Sequence, residues 1–263
     1  MELDNEQQNC RKKAAPPRTT RERNTDRDST AANREGNLVT ELIAKVAMAK
    51  TIKADGTVLG EAKGYWFKVR EHNVETIGEL YAVLERLRHK PKSCVIRGVL
   101  KADPPERDGD WYVRRKVNFD DTPLPWAMLD IDDLTYKELG LPTDARADDI
   151  VNAVRKRLPK AFRDVDCIAQ FSAKMGMRAG AVKLHLWFML GESRTCHDLE
   201  YYCRNSIVDI SPFRVVQPHY TADPILAEGV EPYWPDHDRL FRLDGTHPTA
   251  PFRPHHRKQL RPN

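Results

Sequence analysis

With 263 residues, the chain is long enough for one large domain or two small ones, and 40% hydrophobic against 31% charged residues describes a real core under a strongly charged surface. A net charge of +4 and a pI near 8.7 are compatible with a nucleic-acid partner without demanding one. No apolar run reaches membrane-spanning length, the N-terminus lacks the apolar core of a signal peptide, and five scattered cysteines (Cys10, Cys94, Cys167, Cys196, Cys203) show no CxxC spacing. These features predict a cytoplasmic protein without a membrane partner or a disulfide framework.

Residues 1 to 37 are rich in Arg, Asp, Asn and Thr and nearly free of large apolar side chains, so they are expected to form a disordered polar tail whose charges almost cancel. Globular patterning starts at Leu38. Val39 to Met48 is apolar and periodic, Ala54-Asp55-Gly56-Thr57 is a turn, and Gly64 to Val69 is a predicted strand. Thr76 to Leu87 predicts a helix with Ile77, Leu80, Tyr81, Val83 and Leu84 inward, and Ser93 to Gly98 a short strand ending in an Arg97-Gly98 turn. Trp126 to Asp132 predicts a buried strand closing on two acids. Ala145 to Leu158 predicts an amphipathic helix with Ile150, Val151, Val154 and Leu158 inward and Arg155, Lys156 and Arg157 outward. Cys167 to Ser172 and Val182 to Leu190 are further strands. A helix around Leu199 follows, then a short strand over Ser206 to Ile210. Residues 250 to 263, with Arg253, His255, His256, Arg257, Lys258 and Arg261 and no acid, are expected to be a basic tail or a linker to a further domain. Mixed rather than alternating elements predict an α+β fold. Cys196, His197 and Cys203 match no zinc knuckle or ribbon, and an amphipathic helix accounts for them.

The chemistry concentrates at three places. In a strand, Asp130 and Asp132 share a face while Leu129 and Ile131 take the other. Two adjacent carboxylates repel unless a cation lies between them, and hard oxygen ligands at this spacing suit Mg²⁺ or Mn²⁺. The alternative is a strand ending in an acidic turn, with Asp133 capping the segment that starts at Leu134. In Val182 to Leu190, Leu184, Leu186 and Phe188 share one face, and Lys183, His185 and Trp187 share the other, as in a strand lining a cleft. Asp209 closes Ile207-Val208, just before Ser211-Pro212.

Taken in order, Asp130-x-Asp132, Lys183-Leu184-His185 and Asp209 resemble the archaeo-eukaryotic primase superfamily, in particular the primase-polymerase domains of plasmids, phages and integrated mobile elements. Val216 to Pro224, containing Gln217-Pro218-His219-Tyr220, and Val95-Ile96-Arg97-Gly98 are similar to segments of those proteins. The resemblance spans roughly Leu38 to Pro248 and implies one catalytic domain over residues 38–249. Its fold would be an α/β N-terminal module packed on an RRM-like module, with the active site in the cleft between them. The implied activity is primer synthesis and extension on a single-stranded DNA template from ribo- or deoxynucleoside triphosphates, alongside a fused or separate replicative helicase. Asp130, Asp132 and Asp209 would hold two Mg²⁺ or Mn²⁺ ions. His185 would contact a triphosphate oxygen, with Lys183, standing where many members carry Ser, as a further point charge. Ser172, Lys174 and Arg178 lie within reach of the same phosphates, and Arg242 is a candidate second phosphate contact. Asp133, turned away by the pleat, is not expected to ligate. Tyr65, Trp66, Trp111 and Tyr112, interleaved with Arg114, Arg115 and Lys116, admit either base stacking or packing at a hairpin edge. Two rival functions remain open: a metal-dependent nuclease or other nucleotidyltransferase using the same acids, and a non-catalytic single-strand-binding replication protein. A rolling-circle initiator is disfavoured because His185-Leu186-Trp187 lacks a second His.

Overall fold

The computed structural model describes residues 36–59, 64–178, 180–231 and 239–251, except for the side chain of Asp133. The expected tails, 1–37 and 250–263, therefore fall almost wholly outside the described residues. In chain order the elements are β1 (Leu38–Ala44), β2 (Thr51–Ile52), β3 (Val58–Leu59), β4 (Trp66–Asn73), α1 (Ile77–Arg88), β5 (Ser93–Ile96), β6 (Val99–Leu100), β7 (Arg107–Asp108), β8 (Trp111–Val113), β9 (Phe119–Asp120), β10 (Leu124–Thr135), α2 (Tyr136–Leu139), α3 (Ala147–Arg155), β11 (Cys167–Phe171), β12 (Ala181–Arg194), α4 (Cys196–Cys203), β13 (Ile225–Leu226) and β14 (Leu240–Leu243). The fold is α+β, with mainly antiparallel sheets and few helices. No helix among the described residues is long and apolar enough to cross a membrane.

Two sheets carry the architecture. The first has five strands in the order β5-β1-β4-β8-β7, and the second has four in the order β10-β12-β11-β14. Both are antiparallel throughout. One face of the four-stranded sheet presents Leu129, Ile131, Ala169, Phe171, Leu184, Leu186 and Phe188 to a core shared with α3 and α4. Its other face begins apolar, with Trp126, Met128, Ile168, Trp187 and Met189 packed under Leu80, Leu84 and Leu87 of α1. α1 thus fills the space beside this sheet, and Val39 and Val95 of the five-stranded sheet join the same core. A third cluster, around Leu42, Phe67, Cys94 and Ile96, underlies the opposite face of the five-stranded sheet.

Local chemistry fixes the helix starts. Thr76, Thr135 and Thr195 each accept a hydrogen bond from the backbone N–H of the residue three positions on. The acids at those positions (Glu79, Glu138, Asp198) accept from the cap N–H in return, and each such cap is worth about 1 kcal/mol. The two sheets are stitched by buried polar contacts. Trp126 Nε1 donates to Leu38 O at 2.8 Å, and Arg97, 1% exposed, donates to the carbonyls of Trp126 and Arg194. Gly98 beside it has no room for a side chain, since a Cβ would lie 2.8 Å from Val215 O and 2.9 Å from Phe119 Cβ.

Three expectations are corrected. Arg155 does not face outward: it is 5% exposed and donates to the carbonyls of Val165 and Asp244, both of which need a buried donor. Ser206 to Ile210 forms no strand; its only ladder contact is a bridge between Asp209 and Asp130. The strand bearing the acids does not close at Asp132 but runs on to Thr135, which caps α2.

Candidate active site

β10 and β12 pair so that Asp130 stands opposite His185. Beyond Ile131 the register shifts, and Asp132 and Asp133 together face the single residue Lys183. Such a bulge re-aims side chains at a sheet rim. Lys183 Nζ donates to Asp132 O at 2.8 Å and lies 3.0 Å from Asp132 Oδ1. Asp209 arrives from outside the sheet. Its N–H donates to Asp130 O at 2.9 Å, and its carboxylate accepts from the N–H and hydroxyl of Ser211, both at 2.8 Å, a turn that fixes the side chain. As a result one carboxylate oxygen from each of Asp130, Asp132 and Asp209 lies within 4.8 Å of the others.

The electrostatics of Asp130 identify what this trio lacks. Burial, then the neighbouring Asp132 and Asp209, push its carboxyl up to about 7, against the pull of Lys183 and Lys50. Its Oδ1 is buried without a hydrogen-bond partner. A buried, unpartnered oxygen among three converging carboxylates is costly, and a metal ion would relieve both the repulsion and the missing bond. The donor set is all hard oxygen, so the residues fit a hard cation.

His185 Nε2 stands 3.5 Å from Asp130 Oδ1, but the contact is not an ion pair. Burial holds the imidazole at about 3, with Arg239 and Lys50 pushing the same way, so the ring is neutral. Its tautomer is set from behind. Gln170, opposite His185 on β11, donates Nε2–H to Thr221 O at 2.9 Å and so presents Oε1 to His185 Nδ1 at 3.1 Å. Nδ1 therefore carries the proton and Nε2 faces the acids with a lone pair.

These groups line a cavity of about 270 Å³ together with Ser172, Lys174 and Lys183, all expected from the sequence. Arg242 does not line it: on β14 it stands opposite Ile168, beside Gly78 and 3.9 Å from Asp244. Nor does Arg178. The cavity adds residues that sequence reasoning missed. Lys50 comes from the stretch after β1; Gln217, His219 and Tyr220 come from the segment after Asp209 that the sequence singles out as a likeness but to which it assigns no role. Arg239 replaces Arg242 in the wall, its guanidinium held by Phe171 O, Thr221 O, Ala222 O and Asp223. Gln170 was also missed; its signal is that of the one amide in the otherwise apolar strand Cys167–Phe171, whereas Lys50 carries no such mark. The described cysteines are free and buried, and burial pushes the Cys196 and Cys203 thiols up to about 12, as a helix core requires. Comparison with protein-family models, curated proteins and solved structures returns no match.

Proposed function

We propose that this chain is a primase-polymerase: a nucleotidyltransferase that makes and extends primers on single-stranded DNA from nucleoside triphosphates, in the replication of a mobile element. One observation carries the reading: three carboxylates and four cations (Lys50, Lys174, Lys183, Arg239) share one cavity. A site for a polyphosphate alone gains nothing from three acids, and a site for cations alone gains nothing from the lysines. Phosphoryl transfer with metal-bound nucleotide uses both, because its main needs are charge neutralisation and in-line positioning. The chain order β10–α3–β11–β12–α4–β14 is that of the split βαβ pattern, with β12 between β10 and β11, although β14 pairs with β11 where an RRM would place it beside β10.

Asp130, Asp132 and Asp209 would hold Mg²⁺ or Mn²⁺, which when bound lowers the pKa of a 3′-hydroxyl and steadies the leaving pyrophosphate. The chain's own residues do the rest. Lys183, now engaged by Asp132, supplies a point charge to the triphosphate once cations neutralise the acids. Lys50, which lines the same cavity, supplies another. Gln170 fixes the His185 ring through Nδ1–H, so that Nε2 stays turned toward the acids beside Asp130.

The test is template-dependent incorporation of ribo- and deoxynucleotides with and without Mg²⁺ or Mn²⁺. Asp130→Ala combined with Asp132→Ala should lower incorporation by at least about 10³-fold, the scale for losing preorganised charge stabilisation, with the thermal melt retained. Full activity in the double variant overturns the reading. Shortening of the labelled strand instead of extension assigns the acids to a nuclease, and metal-independent binding without either reaction assigns the chain to a non-catalytic role.

A further inference from the structure

The face of the five-stranded sheet that buries Val39 continues past α1 into a partly solvent-exposed region that does not line the cavity. Residues paired across strands share a face, so Ile43 and Lys68 lie on it together, as do Trp66 and Val113, with Trp111 two residues along β8. Phe67, across the pleat, points into the core instead. Trp66 is 36% and the adjoining Tyr65 49% exposed, large apolar surface left in water beside cations. Lys45 Nζ sits 4.7 Å and Lys68 Nζ 5.6 Å from the centre of the Trp111 ring, and Arg115 lies 5.3 Å from that of Tyr65. The acids here, Asp110 at 3.7 Å from Lys68 and Glu106 at 3.2 Å from Arg115, make solvent-exposed pairs that are worth little and are readily exchanged.

We propose that this face is a docking platform for single-stranded DNA, with bases stacking on Trp66 and phosphates meeting Lys45 and Lys68. Interleaved aromatic rings and ammonium groups are the chemistry of sequence-tolerant strand binding. The platform also leads somewhere. Lys45 belongs to the face and Lys50 to the cavity wall, five residues apart, so at most about 17 Å of chain separates a docked strand from the acids. The platform's role as a template track rests on the polymerase reading; its binding of DNA does not.

Fluorescence anisotropy of a labelled oligothymidylate, measured in EDTA, tests it. Trp66→Ala should weaken binding about 5-fold or more. Lys45→Gln with Lys68→Gln should reduce the slope of log K against log salt by about 1.4, two phosphate contacts at single-strand density. The control pair Lys156→Gln with Lys160→Gln, exposed beyond α3, should leave the slope unchanged. Absence of binding by the wild type at about 50 mM salt, or face variants that behave like the control, overturns the proposal. So does sedimentation showing a dimer that Trp66→Ala dissociates with DNA affinity unchanged, because the face would then join copies of this chain. Incorporation assays separate the two readings. Face variants that bind normally in an active enzyme sink the platform alone; weakened binding in a chain that never incorporates nucleotide sinks the polymerase alone.

Discussion

In β4 of the five-stranded sheet, polar side chains follow the pleat: Phe67 is buried while Trp66, Lys68 and Arg70 meet solvent, and Glu41 on the neighbouring β1 is buried against its own partners His72 and Ser93. On the four-stranded sheet polar side chains interrupt burial. β11 is buried at every position, and β12 at most, yet Gln170 and His185 stand inside that layer, joined to Asp130 at its rim. A polar residue on a half-solvated sheet needs no partner beyond water, whereas one in a doubly covered sheet must find a protein partner or a ligand. The difference separates the surface chemistry of this molecule from its cavity chemistry.

The sharpest way to break that contrast is to remove one polar group from each sheet. Gln170→Leu strands His185 Nδ1–H in the interior, while Thr221 O keeps Arg239 as a donor, so one unpartnered group gives an expected loss of about 1–3 kcal/mol. Lys68→Leu should stay within about 0.5 kcal/mol. Urea midpoints at constant slope measure both, and equal losses would dissolve the distinction.

The same contrast explains which features were legible in the sequence. β12 was legible because its alternation, Leu184, Leu186 and Phe188 against Lys183, His185 and Trp187, follows directly from period-two geometry, and α1 because Thr76 and Glu79 announce its cap. Asp130 and Asp132 shared a face as expected. Asp209 was legible as an acid by order along the chain, but not as part of a strand, since its position depends on one bridge and a turn through Ser211. Arg155 was misplaced because helical periodicity reports faces, not the carbonyls that wait beneath them. Lys50 was invisible: a lysine in a loop looks alike whether it faces solvent or a cavity wall.

An effect of similar size sharpens the cavity side of the comparison. The neutral-pH cost of Asp130 comes from holding a buried carboxylate against two others. In metal-free protein at pH 8, Asp130→Asn should therefore raise stability by about 1–3 kcal/mol, at about 2–4 °C in Tm per kcal/mol for a chain of this size. It should also abolish the rise in Tm that Mg²⁺ or Mn²⁺ gives the wild type. A variant less stable than wild type in EDTA, at unchanged fold, would mean the trio is not under charge strain.

The smallest effect appears in how stability changes with acid. His219 is 2% exposed, packs edge-on against Trp126 and Trp187, and has no hydrogen-bond partner at either nitrogen among the described residues; burial holds it at about 3. His185 is depressed to the same value. As pH falls below about 6.5, the unfolded chain takes up two protons that the native state refuses, so both rings cost stability in acid. Asp130 acts in the opposite sense, because its raised carboxyl takes a proton in the native state near 7, before the unfolded chain does near 3.8. Between about pH 6 and 4.5 these three groups leave a net loss of one proton, about 1.4 kcal/mol per pH unit. His219→Phe keeps a ring against the two tryptophans and removes one refusing group, so its slope over that range should be about 1.4 kcal/mol per unit shallower than wild type. Denaturant titrations at half-unit pH intervals measure the difference between the two slopes, in which every other titrating group cancels. Parallel slopes would mean that His219 takes up its proton in the native state, and that the layer behind the cavity is wetter than its packing indicates.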